Sequence, residues 1–290
     1  MTVLTENEIC FMSARDLADS IRHKRISAHE VMDAFLRQIE RLNPRINAIV
    51  AKLDDDKCLA LADDADRRLA RGDEVGPLHG SPFAFKDLDP AVGFPMTRGS
   101  RIFKDFLPGE DSVLVERLKR AGVIPIGKTN VSEFGMGSHT YNDVYGVTLN
   151  PYDLTKSAGG SSGGAGAALA AGLLPLASGS DLGGSLRNPA NFNNSVALRP
   201  TVGLVSSAPT ALPFFGNLWT ATLKTCELPG VPIWAVCHST GVFAQCWKRS
   251  GRHLSILVAS LRTLVPTSAA PRTSFSLCAH GIIGTCSARC

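Results

Sequence analysis

With 290 residues, 44% of them hydrophobic and 19% charged, the chain has the make-up of a water-soluble globular protein and not of a disordered one, and its length suits one large α/β domain or two smaller ones. A net charge of +4 hides an asymmetry, since residues 1–181 carry 25 acidic against 21 basic side chains and residues 182–290 carry one, Glu227, against nine. Those basic residues are scattered without a helical stripe or aromatic interleaving, so no nucleic-acid partner is expected.

The first residues, Met1-Thr-Val-Leu-Thr-Glu-Asn-Glu, lack the basic and apolar regions of a secretory signal, and no apolar run approaches the ~18 residues of a spanning helix. A cytoplasmic location and no membrane partner are therefore expected. Only Cys10 and Cys58 precede residue 200, and no paired spacing reads as a zinc site, so neither disulfides nor metal is expected in the main body.

Ser13 to about Arg22 reads as a short helix. Ser27-Ala-His-Glu30 is a capping box opening an amphipathic helix with Val31, Phe35 and Ile39 on one face, and Asn43-Pro44 predicts its stop. Ile46 to Leu53, apolar and β-branched, fits a strand, and Asp54 to Arg71 fits a second long helix ending at Gly72. Ser81 to Lys86 reads as a strand, Ser112 to Arg120 as a helix and Val123 to Ile126 as a short buried strand. An alanine-rich helix follows over Gly163 to Gly172, then a strand over Leu173 to Ala177 that leads into Asp181. Repeated alternation of this kind predicts an α/β fold, a mixed β-sheet core flanked by helices.

Beyond Gly216 the character changes. All three tryptophans and six of the eight cysteines lie there, with no aspartate, and neither helical nor alternating periodicity stands out. The chain thus divides into 1–216, the α/β portion, and 217–290, an atypical tail read as out-of-frame or disordered. The alternative is a divergent C-terminal module with a cysteine-dependent interaction.

Two glycine-flanked serine clusters carry the chemistry: Ser157-Ala-Gly-Gly-Ser161-Ser162-Gly-Gly and Gly179-Ser-Asp181-Leu182-Gly183-Gly184-Ser185-Leu-Arg187. Glycine lets the backbone bring N–H groups close to a bound group, as an oxyanion site requires. A serine hydroxyl needs a base, and Lys86 at the end of Pro82-Phe-Ala-Phe-Lys86 is carried inward by its apolar strand. Neutralising an ordinary lysine at pH 7 costs about 4.6 kcal/mol, so that role requires burial. Asp87 points to the other face of the strand and need not pair with it.

Gly122-Val-Ile-Pro-Ile-Gly127-Lys128-Thr129 fits the P-loop pattern by letter, but its middle is an apolar strand and nucleotide binding is not expected. Gly159-Gly-Ser161-Ser-Gly163 fits the nucleophile elbow of α/β-hydrolases, yet a polar segment precedes it and no histidine partner stands out. His139 is expected at the surface.

Taken in order, Pro82–Leu88, Gly127–Ser138, Ser157–Gly166, Asp181–Arg187 and Leu198–Gly203 resemble the amidase signature family of Ser–Ser–Lys amide hydrolases over about residues 13–216. Ala197 departs from the glycine usual there. The resemblance implies the amidase signature fold, here incomplete at its C-terminal side. It implies Lys86 as base, Ser161 in a cis peptide as proton relay and Ser185 as the nucleophile that forms an acyl-enzyme. Leu182, Gly183, Gly184, Met136, Gly137 and Ser138 would face the substrate and its oxyanion, with Ser162, Asp181 and Arg187 in support. The expected reaction cleaves a small-molecule carboxylic amide to acid plus ammonia or amine, with no cofactor and with a homodimer allowed. The alternatives are the catalytic polypeptide (the A subunit) of a tRNA-dependent amidotransferase and a catalytically inactive truncated fragment.

Overall fold

The computed structural model describes residues 5–200 and Val205, together with the backbone of three strands at 256–260, 274–279 and 282–287. The chain opens with α1 (Glu6–Cys10), α2 (Ala14–Arg22) and α3 (Ala28–Ile46). Ser27 caps α3 through the predicted box, accepting from the Glu30 N–H while Glu30 accepts from the Ser27 N–H. The helix runs through Pro44 to Ile46, past the predicted stop, and closes on Asn47 at φ 56°. Proline removes one helical donor. Here the Asn43 side chain tidies the exit, accepting from the N–H groups of Ala48 and Ile49 at 2.9 Å each.

The predicted strand over 46–53 contracts to β1 (Ile49–Val50), and α4 (Asp55–Arg71) ends at Gly72 as expected. Next come β2 (Pro82–Lys86), α5 (Val113–Arg120) and β3 (Ile124–Thr129). Two small hairpins follow that periodicity did not announce, β4 (Tyr141–Asn142) with β5 (Gly146–Val147) and β6 (Leu149–Asn150) with β7 (Asp153–Ser157). The described core then ends with α6 (Gly163–Ala170), β8 (Leu176–Ser180), α7 (Arg187–Phe192) and β9 (Val196–Leu198).

The tail supplies β10 (Ile256–Ser260) and a hairpin of β11 (Ser274–Ala279) with β12 (Ile282–Ser287). The main sheet has the order β1-β3-β2-β8-β10-β9. Only β1 runs antiparallel to its neighbour, which makes the sheet mixed. Apart from these three strand backbones, the reading of 217–290 as an aberrant continuation falls outside the described residues.

Alternation along β2 sets the geometry of everything that follows. All five of its residues are buried. Phe83 and Phe85 join the cluster of Leu114, Val115 and Leu118 from α5, whereas Ala84 joins the cluster formed by α3, α4 and α6. Each buried phenylalanine contributes on the order of 2–3 kcal/mol. Lys86, two residues after Ala84, therefore emerges on the α6 side. Because β2, β3 and β8 are parallel, their carboxyl ends lie together, the place where open α/β sheets bind ligands.

Helix α6 has small residues because it has no room for others. A Cβ on Gly164 would stand well inside van der Waals contact with the Asn130 backbone nitrogen and oxygen. Gly164→Ala is expected to lower stability by roughly 1–3 kcal/mol through overpacking, read as a shifted urea midpoint. An unchanged midpoint would mean that α6 can move away from β3.

Candidate active site

Lys86 sits at the carboxyl end of β2, with no exposed surface. Its Nζ lies 2.8 Å from Ser161 Oγ, 2.7 Å from Ser162 Oγ and 2.9 Å from Ser180 Oγ. Ser161 and Ser162 form the entry to α6, where the Gly160–Ser161 peptide bond is cis, and Ser180 ends β8. Three elements thus converge on one amine.

The two adjacent serines differ in what else they hold. Ser162 Oγ also donates to the Ser180 carbonyl and accepts from the Ser180 N–H, both at 3.3 Å, so it is engaged on every side. Ser161 Oγ has Lys86 as its hydrogen-bond partner among the described residues, which leaves it capacity for a further hydroxyl. The loop is held from behind by buried Thr140, whose Oγ1 accepts from the Gly163 N–H at 2.9 Å.

Ser185 lies beside this group through its backbone, its carbonyl accepting from the Ser162 N–H at 3.1 Å. Its half-exposed hydroxyl makes no hydrogen bond among the described residues. Buried Asp181 shapes the turn that carries it. The carboxylate accepts from the N–H groups of Gly184 at 2.9 Å, Leu186 at 3.1 Å and Arg187 at 3.2 Å. It also takes both arms of the Arg187 guanidinium, at 3.0 and 2.9 Å. Arg199 reaches the Asp181 carbonyl at 3.2 Å.

Of the amides expected to face an oxyanion, that of Gly184 is thus committed to Asp181. Those of the exposed Leu182 and Gly183 make no hydrogen bond among the described residues. The buried carboxylate thus claims one of the three donors of the turn.

Burial raises the Asp181 pKa, but Arg187 and the three N–H donors outweigh it and hold the carboxyl at about 2 against an ordinary 3.8. A depressed carboxyl pKa stabilises the fold above pH ~4, and that stability is lost as the pH falls towards 2. Asp181→Asn is therefore expected to be less stable at neutral pH, and its stability should fall less between pH 4 and 2 than that of the wild type. Acid-titrated urea unfolding checks this, and parallel curves would refute the role.

Met136, Gly137 and Ser138 are exposed, Met136 by 75%. Their neighbour Gly135 passes close to the lysine cluster, since a Cβ placed on it would lie 3.6 Å from Ser161 Oγ and 2.6 Å from Leu88 Cδ1. His139 is exposed as expected, its Nδ1 2.7 Å from Ser157 Oγ.

A second fully buried lysine, Lys128, is the β3 register partner of Phe85 and so belongs to the opposite face. Its Nζ donates to the Asp89 carbonyl at 2.5 Å. Burial pushes its pKa down, with Asp87 and Asp89 opposing. Asp89 in turn accepts from Ser178 Oγ at 2.8 Å, and Ser178 Oγ accepts from the Lys86 N–H at 2.8 Å. Gly127-Lys128-Thr129 is thus strand, which removes the P-loop reading. Ser178, Ser180 and Thr140 were not singled out from the sequence, because small polar residues in a strand or turn carry no distinguishing signal. Among the described residues no group of three His, Cys, Asp or Glu side chains is placed to hold a metal ion, and no helix is long and apolar enough to cross a membrane.

The family model Amidase matches residues 30–244, past Gly216 where the motif resemblance ends. The chain is 42% identical over 222 residues to the A polypeptide of the glutamyl-tRNA(Gln) amidotransferase of Alkaliphilus metalliredigens, covering 75% of this chain and 45% of that protein. Among solved structures it resembles a bacterial aryl acylamidase of the amidase signature enzymes, at 35% identity and TM-score 0.65 over 69% of this chain and 42% of the other. It also resembles a fatty acid amide hydrolase, at 30% identity and TM-score 0.68 over 72% and 37%. The chain spans less than half the length of the curated relatives it matches. With a family model covering most of its described residues and these relatives alongside, the chain belongs to the amidase signature family.

Proposed function

We propose that the chain hydrolyses a carboxylic amide through a Ser185 acyl-enzyme, with Lys86 as base and Ser161 as proton relay. The observation that carries this reading is the buried Lys86 amine 2.8 Å from Ser161 Oγ, with Ser185 bonded to the neighbouring residue. Ser185 Oγ adds to the amide carbonyl as its proton passes to Ser161, whose own proton passes to Lys86 Nζ. The amides of Leu182 and Gly183 meet the negative oxygen of the tetrahedral intermediate. The C–N bond then breaks as the relay returns a proton to the leaving nitrogen, releasing ammonia or an amine. Water, deprotonated by the same relay, cleaves the Ser185 ester and frees the acid. Ser162, Asp181 and Arg187 hold the two loops in place, and Met136–Ser138 border the substrate. Neither a metal nor a cofactor takes part in this scheme, and the substrate is a small amide in water.

A second reading is favoured by the curated relatives, which are the A polypeptides of glutamyl-tRNA(Gln) amidotransferases. In that case the ammonia is made for a partner, and its production depends on that partner. The test is ammonia release from a panel of primary amides by the full chain, alone and with material co-purified from its source. Release by the chain alone supports the hydrolase, and release that requires a co-purified partner supports the amidotransferase reading. If the chain does neither, and fails to react with a serine-directed phosphonate, it is the truncated inactive form.

A further inference from the structure

Arg98 is held in a conformation that an arginine does not choose. Its φ is +55°, in the left-handed region where a side chain costs roughly 1–2 kcal/mol. Asp87, the residue after Lys86, enforces it. Its carboxylate accepts from the Thr97 N–H at 3.0 Å and the Thr97 hydroxyl at 2.5 Å on one side of Arg98, and from the Gly99 N–H at 3.4 Å on the other. The Arg98 carbonyl accepts from the Phe134 N–H at 2.7 Å, and the next residue, Gly135, is the one that lies against Ser161. The Arg98 backbone is thereby anchored to the residue that follows Lys86 and to the segment that passes beside Ser161.

The guanidinium stacks on an aromatic ring but uses none of its donors among the described residues. Its Cζ stands 4.9 Å over the ring of Phe103, which meets Phe134 edge-on at 6.2 Å. Its Nε is buried with no partner, and the group makes no hydrogen bond or ion pair among the described residues. A buried donor left unpaired costs about 1–3 kcal/mol, and strain that the surroundings over-determine is characteristic of sites that bind. A planar fork of donors half-dried against an aromatic face matches a carboxylate.

We propose that Arg98 determines specificity by binding a carboxylate carried by the amide substrate, so that monoamides of dicarboxylic acids are preferred over uncharged amides. This rests on the amide-hydrolase reading of the Lys86–Ser161–Ser185 site. Arg98→Gly is the informative variant, because it removes the guanidinium and at the same time relieves the positive φ. Arg98→Lys keeps the charge without the fork.

The experiment compares kcat/KM of the full chain for the monoamides of succinic, glutaric and suberic acid with kcat/KM for butyramide, valeramide and octanamide. The Gly variant is expected to lose roughly 10- to 100-fold on the monoamides, to stay within about twofold on the uncharged amides, and to keep or gain thermal stability. The Lys variant should fall between. An equal loss on both series, or no change on the monoamides, overturns the assignment. Calorimetric titration with glutarate and suberate separates it from the catalytic reading. If the wild type turns over neither series, the hydrolase reading fails, while diacid binding that vanishes in Arg98→Gly still upholds the inference. Binding that is the same in both proteins, or found in neither, overturns it.

Discussion

Lys86→Ala is expected to abolish amide turnover, with kcat/KM falling by at least about 10³-fold. Among the described residues the lysine is the one amine bonded to the three hydroxyls, and no second base stands beside them. His139 cannot substitute, since it is exposed and bound to Ser157. Lys128 lies on the other face of the sheet and is held by Asp89. Lys86→Arg should fare no better, because a guanidinium stays protonated at any pH the fold survives and cannot take a proton from Ser161. Steady-state hydrolysis of the best amide in the panel reads both variants. Activity within tenfold of wild type in Lys86→Arg would remove the base from this mechanism, and circular dichroism at matched concentration shows whether the fold persists.

How far the fold could be read beforehand differs from element to element, for physical reasons. The long helices α3 and α4 announced themselves through a capping box, a 3.6-residue apolar period and a terminal glycine, and β2 through a run of buried residues. The hairpin strand β7, Asp153–Ser157, did not, because its residues are exposed or half-exposed and no buried face imposes alternation. The strand expected over 173–177 begins instead at Leu176 and runs to Ser180, since Gly172 at φ +65° and Pro175 consume the first residues in a turn. That shift of three residues concealed a part of the site. Placed in a strand, Ser178 and Ser180 fall on alternate positions, one serving the Lys86 N–H and the other the Lys86 amine. The motifs name Lys86, Ser161, Asp181 and Ser185, and the structure brings these four together. The use of the Gly184 amide by Asp181 is not legible in them, because it depends on how the turn closes.

Ser185→Ala should remove turnover as completely as Lys86→Ala, by a different route. Removing the nucleophile of such a relay typically costs about 10⁴-fold or more in kcat, while the fold keeps its anchors. The Ser185 backbone carbonyl still accepts from Ser162, and the Asp181 clamp involves the neighbours of Ser185 and not its hydroxyl. Thermal stability should therefore stay within about 1 kcal/mol of wild type, since no buried hydroxyl bond is lost. Ser162→Ala makes the contrast. It breaks a contact with Lys86 and two with Ser180, so it should lower stability by about 1–3 kcal/mol yet leave measurable turnover, because Ser161 remains bonded to the lysine. A fluorophosphonate of suitable size distinguishes the roles without a substrate. It should label the wild type once per chain at Ser185, label Ser162→Ala at the same residue more slowly, and leave Ser185→Ala unlabelled. Adduct on Ser161 or Ser162 in the wild type, found by peptide mass mapping, would move the nucleophile from the Asp181–Arg187 turn to the start of α6. Asp181 would then shape only the wall of the site.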